Sequence, residues 1–432
     1  MPAKLKSATL GCKVNQYETQ YVCEGLHSIG YEDAEPEQSA DLCIINTCTV
    51  TNEGDSKSRQ VIRRMARDNP DARIVVMGCY ATRAPDEVAV LPGVEEVVTD
   101  KRELPDLLGR FGVVDLPTGI SRFGNRHRAY VKVQDGCLLR CSYCIIPQVR
   151  PVMTSRPMDE ILDEVRRLVT NGYREIVLTG VHLGHYGVEG NWQKPKSEWT
   201  RLSNLVQEIV KLDGKFRVRL SSIEVTEVTR DLLHMMADHA DRICPHLHIC
   251  LQSGSDSVLR RMKRRWGTRR FIDRCSMTRD YLDQPALTTD VIVGFPGESD
   301  DEFEQTCDVV RQVGFAKVHV FPFSPRRGTP AAEMSDPVIK SVKAERRRQL
   351  EQLEMESRAA YMKGLLGGRL TVLVQSSSDP APGQVVGTSC RYMPVQFAGQ
   401  ESCEGRLVNV FAREYSEDRI LADSCAPVPK NG

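Results

Sequence analysis

Surplus charge of either sign is missing from this 432-residue chain, in which 58 Lys and Arg face 58 Asp and Glu. Bulk charge therefore advertises no nucleic-acid partner, and one would have to be met by a local basic patch. No run of about 18 apolar residues occurs, which argues against a membrane span. The opening MPAKLKSATLGC lacks the apolar h-region of a secretory signal, so the expected compartment is the cytoplasm. Internal repeats and long low-complexity tracts are absent as well. What is abundant is cysteine, 15 residues in all. An odd count in a long chain without an export signal argues against a disulfide framework and points to metal or redox chemistry for at least some of them. Apolar content of 41% and charged content of 27% fit a globular protein, and the length asks for two to four domains.

The first hundred residues alternate strand-like runs (KSATLGC, DLCIINTC, RIVVMGC) with helix-compatible ones (QYETQYVCEGLHSIG, DSKSRQVIRRMARDN). That is the pattern of a parallel sheet with crossover helices. A loop from Leu116 to Gly124 precedes a second alternation, with strand candidates YVKVQD, EIVLTGV, RVRLSSI, HLHICLQ, LTTDVIVGF and KVHVFPFS. Six βα units are too few for a closed eight-fold barrel and predict a partial one. A charged helix from about Ile339 to Leu365 leads out. Five short β-prone runs after Gly368 then predict a small all-β barrel. The expected fold class is α/β, with domains at 1–115, 123–355 and 365–428.

The stretch DGCLLRCSYCIIP places Cys137, Cys141 and Cys144 within eight residues, with no fourth cysteine nearby. Thiolates so close can grip one centre, and soft sulfur favours zinc or an iron–sulfur cluster. Three ligands leave a coordination position open, which suits catalysis; a structural zinc completed by a distant residue such as His127 is the alternative. Cys12, Cys48 and Cys79 each end one of the N-terminal strand runs, and the carboxyl ends of parallel strands share one edge. Cys23 and Cys43 lack that position and read as ordinary buried thiols. Three unrelated core cysteines remain the alternative for the trio.

CxxxCxxC after the first strand of a partial βα barrel resembles the radical S-adenosylmethionine (SAM) enzymes. The resemblance implies that Cys137, Cys141 and Cys144 hold three irons of a 4Fe-4S cluster whose fourth iron binds SAM. It also implies that the SAM is cleaved to a 5′-deoxyadenosyl radical, with Tyr143 near the adenine. With LGCKVNQYE, INTCTVT, VMGCYA, LQSGSDSVLRRM and TDVIVGFPGE, nearly the whole chain is similar to the methylthiotransferases. That likeness implies a second 4Fe-4S cluster on Cys12, Cys48 and Cys79, and SAM as both radical source and methyl donor. A C–H bond then becomes C–S–CH3. Such a bond offers neither an easy proton nor a leaving group, so no catalytic acid, base or nucleophile is assigned and the cofactors carry the chemistry.

Branches of the family act on N6-threonylcarbamoyladenosine or N6-isopentenyladenosine at position 37 of tRNA, or on an aspartate of a small-subunit ribosomal protein. VKVQDGC and TGVHLGHYG most resemble the bacterial threonylcarbamoyladenosine branch. The implied partners are the tRNA anticodon stem-loop, an external electron donor and a sulfur source, with no stable protein partner. Gly180 in TGVHLGHYG, Ser253 in LQSG and Gly294 in VIVGFPGE follow strands on the same rim and are cofactor-binding candidates. A plain strand-to-helix turn would use glycine equally. RRMKRRWGTRR, Arg260 to Arg270, is a candidate phosphate-contacting surface with Trp266 in it. The C-terminal barrel resembles the RNA-binding TRAM domain and offers Arg369, Arg391 and Arg406. His182 and His185 read as neighbours of SAM or substrate, or as packing. After the CxxxCxxC the family continues Arg-Gly, whereas this chain has Arg150-Pro151, so the loop there is expected to differ locally.

Overall fold

The computed structural model describes residues 2–124, 126–191, 193–375, 383–416 and 418–425. Its first sheet contains β1 (Lys4–Thr9), β2 (Glu32–Asp33), β3 (Leu42–Thr47), β4 (Arg73–Gly78) and β5 (Val94–Val97). All pairs are parallel, in the order β2-β1-β3-β4-β5. Every residue of β3 is buried because helices cover both faces. Leu42 and Ile44 pack with Val22 and Leu26 of the helix Lys13–Ser28. Cys43 and Ile45 pack with Ile62 of the helix Asn52–Asp68. The chain leaves β1 toward β2 on one side and returns to β3 on the other. The carboxyl ends of β1 and β3 therefore flank a topological switch point, where such sheets bind ligands.

The central region holds β6 (Arg128–Asp135), β7 (Thr154–Ser155), β8 (Glu175–Gly180), β9 (Arg217–Leu220), β10 (Ser222–Ile223), β11 (His246–Ile249), β12 (Ala286–Val293) and β13 (Lys317–Pro322). They form two ladders, β7-β6-β8-β9 and β10-β11-β12-β13. All pairs are parallel except β7 on β6. Ser221 alone separates β9 from β10, so the six expected strands make one open arc, the partial (βα)6 barrel. The helix Met158–Thr170 shows why its segment folds so: Ile161, Val165, Leu168 and Val169 recur at helical spacing and are buried.

The helix Lys340–Gly364 leads to β14 (Arg369–Gln375), β15 (Gln384–Ser389), β16 (Pro394–Ala398), β17 (Leu407–Ser416) and β18 (Arg419–Ser424). These close into a barrel in the order β14-β15-β16-β18-β17, which leaves no free sheet edge. Alternate residues Leu370, Val372 and Val374 point into its core. Among the described residues no helix is long and apolar enough to cross a membrane.

The small barrel is seated on the amino-terminal end of the arc by buried arginines. Arg217 donates to the carbonyls of Thr371 (2.7 Å) and Thr388 (2.9 Å), and Arg219 to those of Ser389 and Cys390 (3.0 Å each). Both also grip Glu175, which Arg128 approaches at 3.4 Å. Burial alone would raise the Glu175 carboxyl, but Arg219, Arg217 and Arg128 together hold it far below the usual carboxylate range. Its contribution to stability is therefore complete above the ordinary value of about 4.3 and is lost as the pH falls below it. Glu175→Gln should cost about 3–5 kcal/mol at neutral pH, because it strands the buried guanidiniums. Chemical denaturation reads that loss, and a change under about 1 kcal/mol would contradict this account of the seat.

One expectation changes here. Arg391 is buried and donates to Asp283 Oδ2 (2.8 Å) and to the Gln284 carbonyl (3.0 Å). It fastens the small barrel to the arc and is not available to RNA, whereas Arg369 and Arg406 are exposed.

Candidate active site

Cys12, Cys48 and Cys79 stand at the carboxyl ends of β1, β3 and β4. Cys12 caps the helix Lys13–Ser28, its carbonyl accepting from the Gln16 N–H at 3.1 Å. The Cys48 carbonyl accepts from the Ser58 hydroxyl at 3.1 Å, and Cys79 opens the helix Cys79–Arg83. Gly78 lets the strand ends meet: at φ +100° its missing Cβ would lie 2.4 Å from the Thr47 backbone. Burial raises the thiols of Cys12 and Cys48, although Cys12 still reaches solvent, and charge on Cys79 raises both further. At Cys12 the Arg150 guanidinium pulls the other way.

Cys137, Cys141 and Cys144 occupy the loop after β6. That loop turns sharply at Gly136, φ +75°, where a Cβ would fall 2.0 Å from the Val152 carbonyl oxygen. The Cys144 N–H bonds the Cys141 carbonyl at 3.1 Å. His182 Nδ1 lies 3.7 Å from the Cys137 sulfur, while its Nε2 meets Glu227 at 3.2 Å. His185 stacks on His182, so both histidines sit beside this trio. Arg264 Nη1 donates to the Cys141 sulfur at 3.5 Å, and its Nη2 ion-pairs with Glu224 at 2.9 Å. Burial pushes the thiols of Cys141 and Cys144 up, the latter to about 12. His127 is no fourth ligand to this set. It pairs with Glu404 at the far end of β6, about 30 Å away at the rise of a strand. Two sets of three thiols, each gathered in one place, fit iron–sulfur clusters with an open position.

The segment that follows the second set packs on the first. Cys79 packs on Ile145, Ile146 and Val149, in the turn and short helix that follow Cys144. From the end of that helix Arg150, 5% exposed, reaches back into the first domain. Its Nη1 meets Glu18 at 2.7 Å and Asp135 at 2.9 Å, and its Nη2 meets Glu18 at 2.7 Å and Asn15 at 3.0 Å. Asn15 Oδ1 also lies 3.8 Å from the Cys12 sulfur, and Asp135 Oδ1 accepts the Gly136 N–H at 2.7 Å. Lys132 bonds Glu18 as well, at 2.7 Å. A second buried arginine, Arg326, ties the loop after β13 to Asn52 (2.9 Å) and Asp55 (2.6 Å). Pro151 is exposed, directly after the strut.

Tyr143 packs against Val258, Met262, Phe295 and Phe323. Gly180 ends β8 beside Gln134. Ser253 is fully buried, its hydroxyl near Thr306 (3.3 Å) and the Ser255 N–H (3.2 Å). Gly294, just past β12, gives its N–H to Glu298 at 2.6 Å. The basic stretch is not one surface. Trp266 is core and donates to Glu224, Arg261 pairs with Glu302 at 2.6 Å, and Arg264 serves Cys141. Arg260, Lys263, Arg265, Arg269 and Arg270 remain exposed. Sequence reasoning missed Arg264 and Arg150 as neighbours of the thiols, since nothing local to either residue names its partner.

A cysteine-bearing parallel sheet docked on an open six-stranded arc, with CxxxCxxC after the arc's first strand, defines a radical-SAM enzyme. Residues 131–310 match the Radical SAM superfamily, and residues 4–100 match the uncharacterized protein family UPF0004. The fold is similar to that of a radical S-adenosylmethionine methyltransferase, TsrM, from Kitasatospora setae. The TM-score is 0.56 at 14% identity, covering 76% of this chain and 75% of that one. The sequence is similar to the threonylcarbamoyladenosine tRNA methylthiotransferase MtaB of Bacillus subtilis (strain 168), with 39% identity over 422 residues, 93% of this chain and 92% of the relative. It is also similar to a tRNA-2-methylthio-N(6)-dimethylallyladenosine synthase of Aquifex aeolicus (strain VF5), with 32% identity over 431 residues, 95% and 96% of the two chains. The chain belongs to the radical-SAM methylthiotransferase family. Members use SAM with a 4Fe-4S cluster and carry an additional cluster.

Proposed function

We propose that this enzyme methylthiolates N6-threonylcarbamoyladenosine at position 37 of tRNA, giving the 2-methylthio nucleoside. The observation that carries the reading is the pair of three-thiol sets, linked through Arg150 and through the short helix that packs on Cys79. Near-full-length likeness to the Bacillus subtilis relative favours the threonylcarbamoyl substrate over the dimethylallyl one. In this reading Cys137, Cys141 and Cys144 hold the SAM-binding cluster, and Cys12, Cys48 and Cys79 hold the second. Tyr143, Gly180, Ser253 and Gly294 line the SAM site. When bound, these cofactors supply the radical, methyl and sulfur chemistry that replaces a C–H bond by C–S–CH3. The protein's own residues position: Arg264 and His182 steady the Cys141 and Cys137 sulfurs, and Arg150 sets the distance between the two thiol sets.

Residues 1–115 would serve the second cluster, 123–355 the radical chemistry and 365–428 RNA binding through exposed residues such as Arg369 and Arg406. The substrate would be the anticodon stem-loop, with an external electron donor and a sulfur source, in the cytoplasm. Nucleoside mass spectrometry of tRNA from a deletion strain tests the assignment. The 2-methylthio-threonylcarbamoyl nucleoside should be lost. Its persistence, with the 2-methylthio-isopentenyl nucleoside or the ribosomal-protein modification missing instead, would overturn it.

A further inference from the structure

Below the cysteine-bearing rim, the arc encloses a cavity of about 510 Å³. Its wall runs from β6 to β13, and Tyr392 to Pro394 of the small barrel close its amino-terminal end. Lys13, Arg128, Arg219, Lys317 and Arg358 line it against a single carboxylate among the described lining residues, Asp290. Most of this charge is already engaged. Asp290 faces His248 at 3.3 Å, Lys317 faces Glu354 at 3.0 Å, and Arg219 holds Glu175. Arg358 leaves one nitrogen, Nε, without a hydrogen bond, and Arg128 is the least satisfied: it is 8% exposed, and two of its nitrogens, Nε and Nη2, make none. Its one acidic neighbour, Glu175, is shared with two other arginines. Buried donors without acceptors are rare and call for an explanation. Nε and Nη2 are themselves closed to solvent, so an anion in the cavity would pair with the charge of the guanidinium as a whole. Lys13, directly after Cys12, brings a second positive charge to the same cavity from the first domain. A divalent cation at His248, Asp290 and His319, whose ligand atoms lie within 4.8 Å of one another, would have to enter this excess of positive charge.

The chemistry of the modified base says which anion. In adenine, C2 and the carbon bearing N6 flank N1, so the two substituents diverge. When C2 faces the cysteine rim, the group on N6 points away from it and into the arc. A threonylcarbamoyl group ends in a carboxylate, whereas an isopentenyl group is hydrocarbon and would leave these cations unpaired. We propose that this cavity is the specificity chamber, in which Arg128 and Lys13 receive the carboxylate of the amino-acid substituent on N6. The assignment rests on the tRNA reading above and adds to it the feature of the substrate that is recognised.

The test uses the reconstituted full-length enzyme and two synthetic anticodon stem-loops, one carrying N6-threonylcarbamoyladenosine and the other its carboxyl methyl ester. The wild type should bind the acid about ten-fold or more tighter than the ester, as a charge-assisted contact requires. Arg128→Gln should collapse that ratio to within about two-fold while leaving the ester's Kd in place. Lys13→Gln, at a half-buried position that carries little folding risk, should reduce the ratio in the same sense. Equal wild-type affinity for acid and ester overturns the chamber, as does equal weakening of both ligands in the two variants. The two levels of the claim fail separately. If tRNA from the deletion strain has lost its methylthio-threonylcarbamoyl nucleoside but acid and ester bind alike, only the chamber falls. If that nucleoside persists, the substrate reading falls with it.

Discussion

Replacing Cys12, Cys48 and Cys79 together by alanine is expected to remove half of the iron from the reconstituted enzyme, and replacing Cys137, Cys141 and Cys144 the other half. Two four-iron clusters give about eight irons per chain, so each variant should retain about four. The expectation rests on geometry more than on motif. The first set is gathered from residues 36 and 31 apart in sequence by the parallel edge of one sheet. The second set lies in a single loop that runs directly into the Ile146–Val149 helix, and that helix packs on Cys79. Each set has its own supporting shell, so losing one should leave the other loaded. Iron and acid-labile sulfide analysis after anaerobic reconstitution reads the outcome. A wild type that reproducibly takes up zinc and no iron would refute it, and so would a triple variant that loses all iron while remaining folded.

The second large effect is expected at Arg150. Its guanidinium and the Lys132 ammonium are buried against two carboxylates, Glu18 and Asp135. Burial by itself would raise both acids; Arg150 and Lys132 instead hold both below the usual carboxylate range. Arg150→Met leaves two buried carboxylates to one ammonium, which should cost about 3–5 kcal/mol, read as a shift of the first unfolding transition. Arg150→Lys keeps the charge but cannot span Glu18, Asp135 and Asn15 with one planar fork, so it should fall between Met and wild type. The strut runs from Asp135, which fixes the turn before Cys137, to Asn15, which touches Cys12. Methylthio transfer should therefore suffer more than SAM cleavage in the Lys variant. A Met variant within about 1 kcal/mol of wild type would show that the strut is not needed.

The strands that sequence reasoning located were long apolar runs ending in glycine or cysteine, as in DLCIINTC and RIVVMGC. The short elements β2 and β5 were invisible because ED and VEEV carry no such run. Six arc strands, five barrel strands and the long exit helix were legible for the same reason: periodic burial writes itself into composition. Partners distant in sequence do not. Pro151, where the family has glycine, marked the departure in this loop, while Arg150 beside it gave no sign of its role, because its acid Glu18 lies 132 residues away on another domain. Arg260 to Arg270 looked like a basic face, because Glu224 and Glu302, which take up Arg264 and Arg261, lie on other elements. Arg391 misled in the same way, its acceptors being Asp283 and Gln284 on the arc.

The two thiol sets divide the labour of the reaction, and one anaerobic reaction tests that division. Enzyme, SAM, a strong reductant and threonylcarbamoylated tRNA are combined, and 5′-deoxyadenosine and methylthiolated nucleoside are quantified together. Wild type should give both products. The Cys12, Cys48 and Cys79 variant should still release 5′-deoxyadenosine but form no methylthio nucleoside, and the Cys137, Cys141 and Cys144 variant should form neither. Methylthio product from the first variant at the wild-type rate, or loss of SAM cleavage in it while four irons remain bound, would contradict the account.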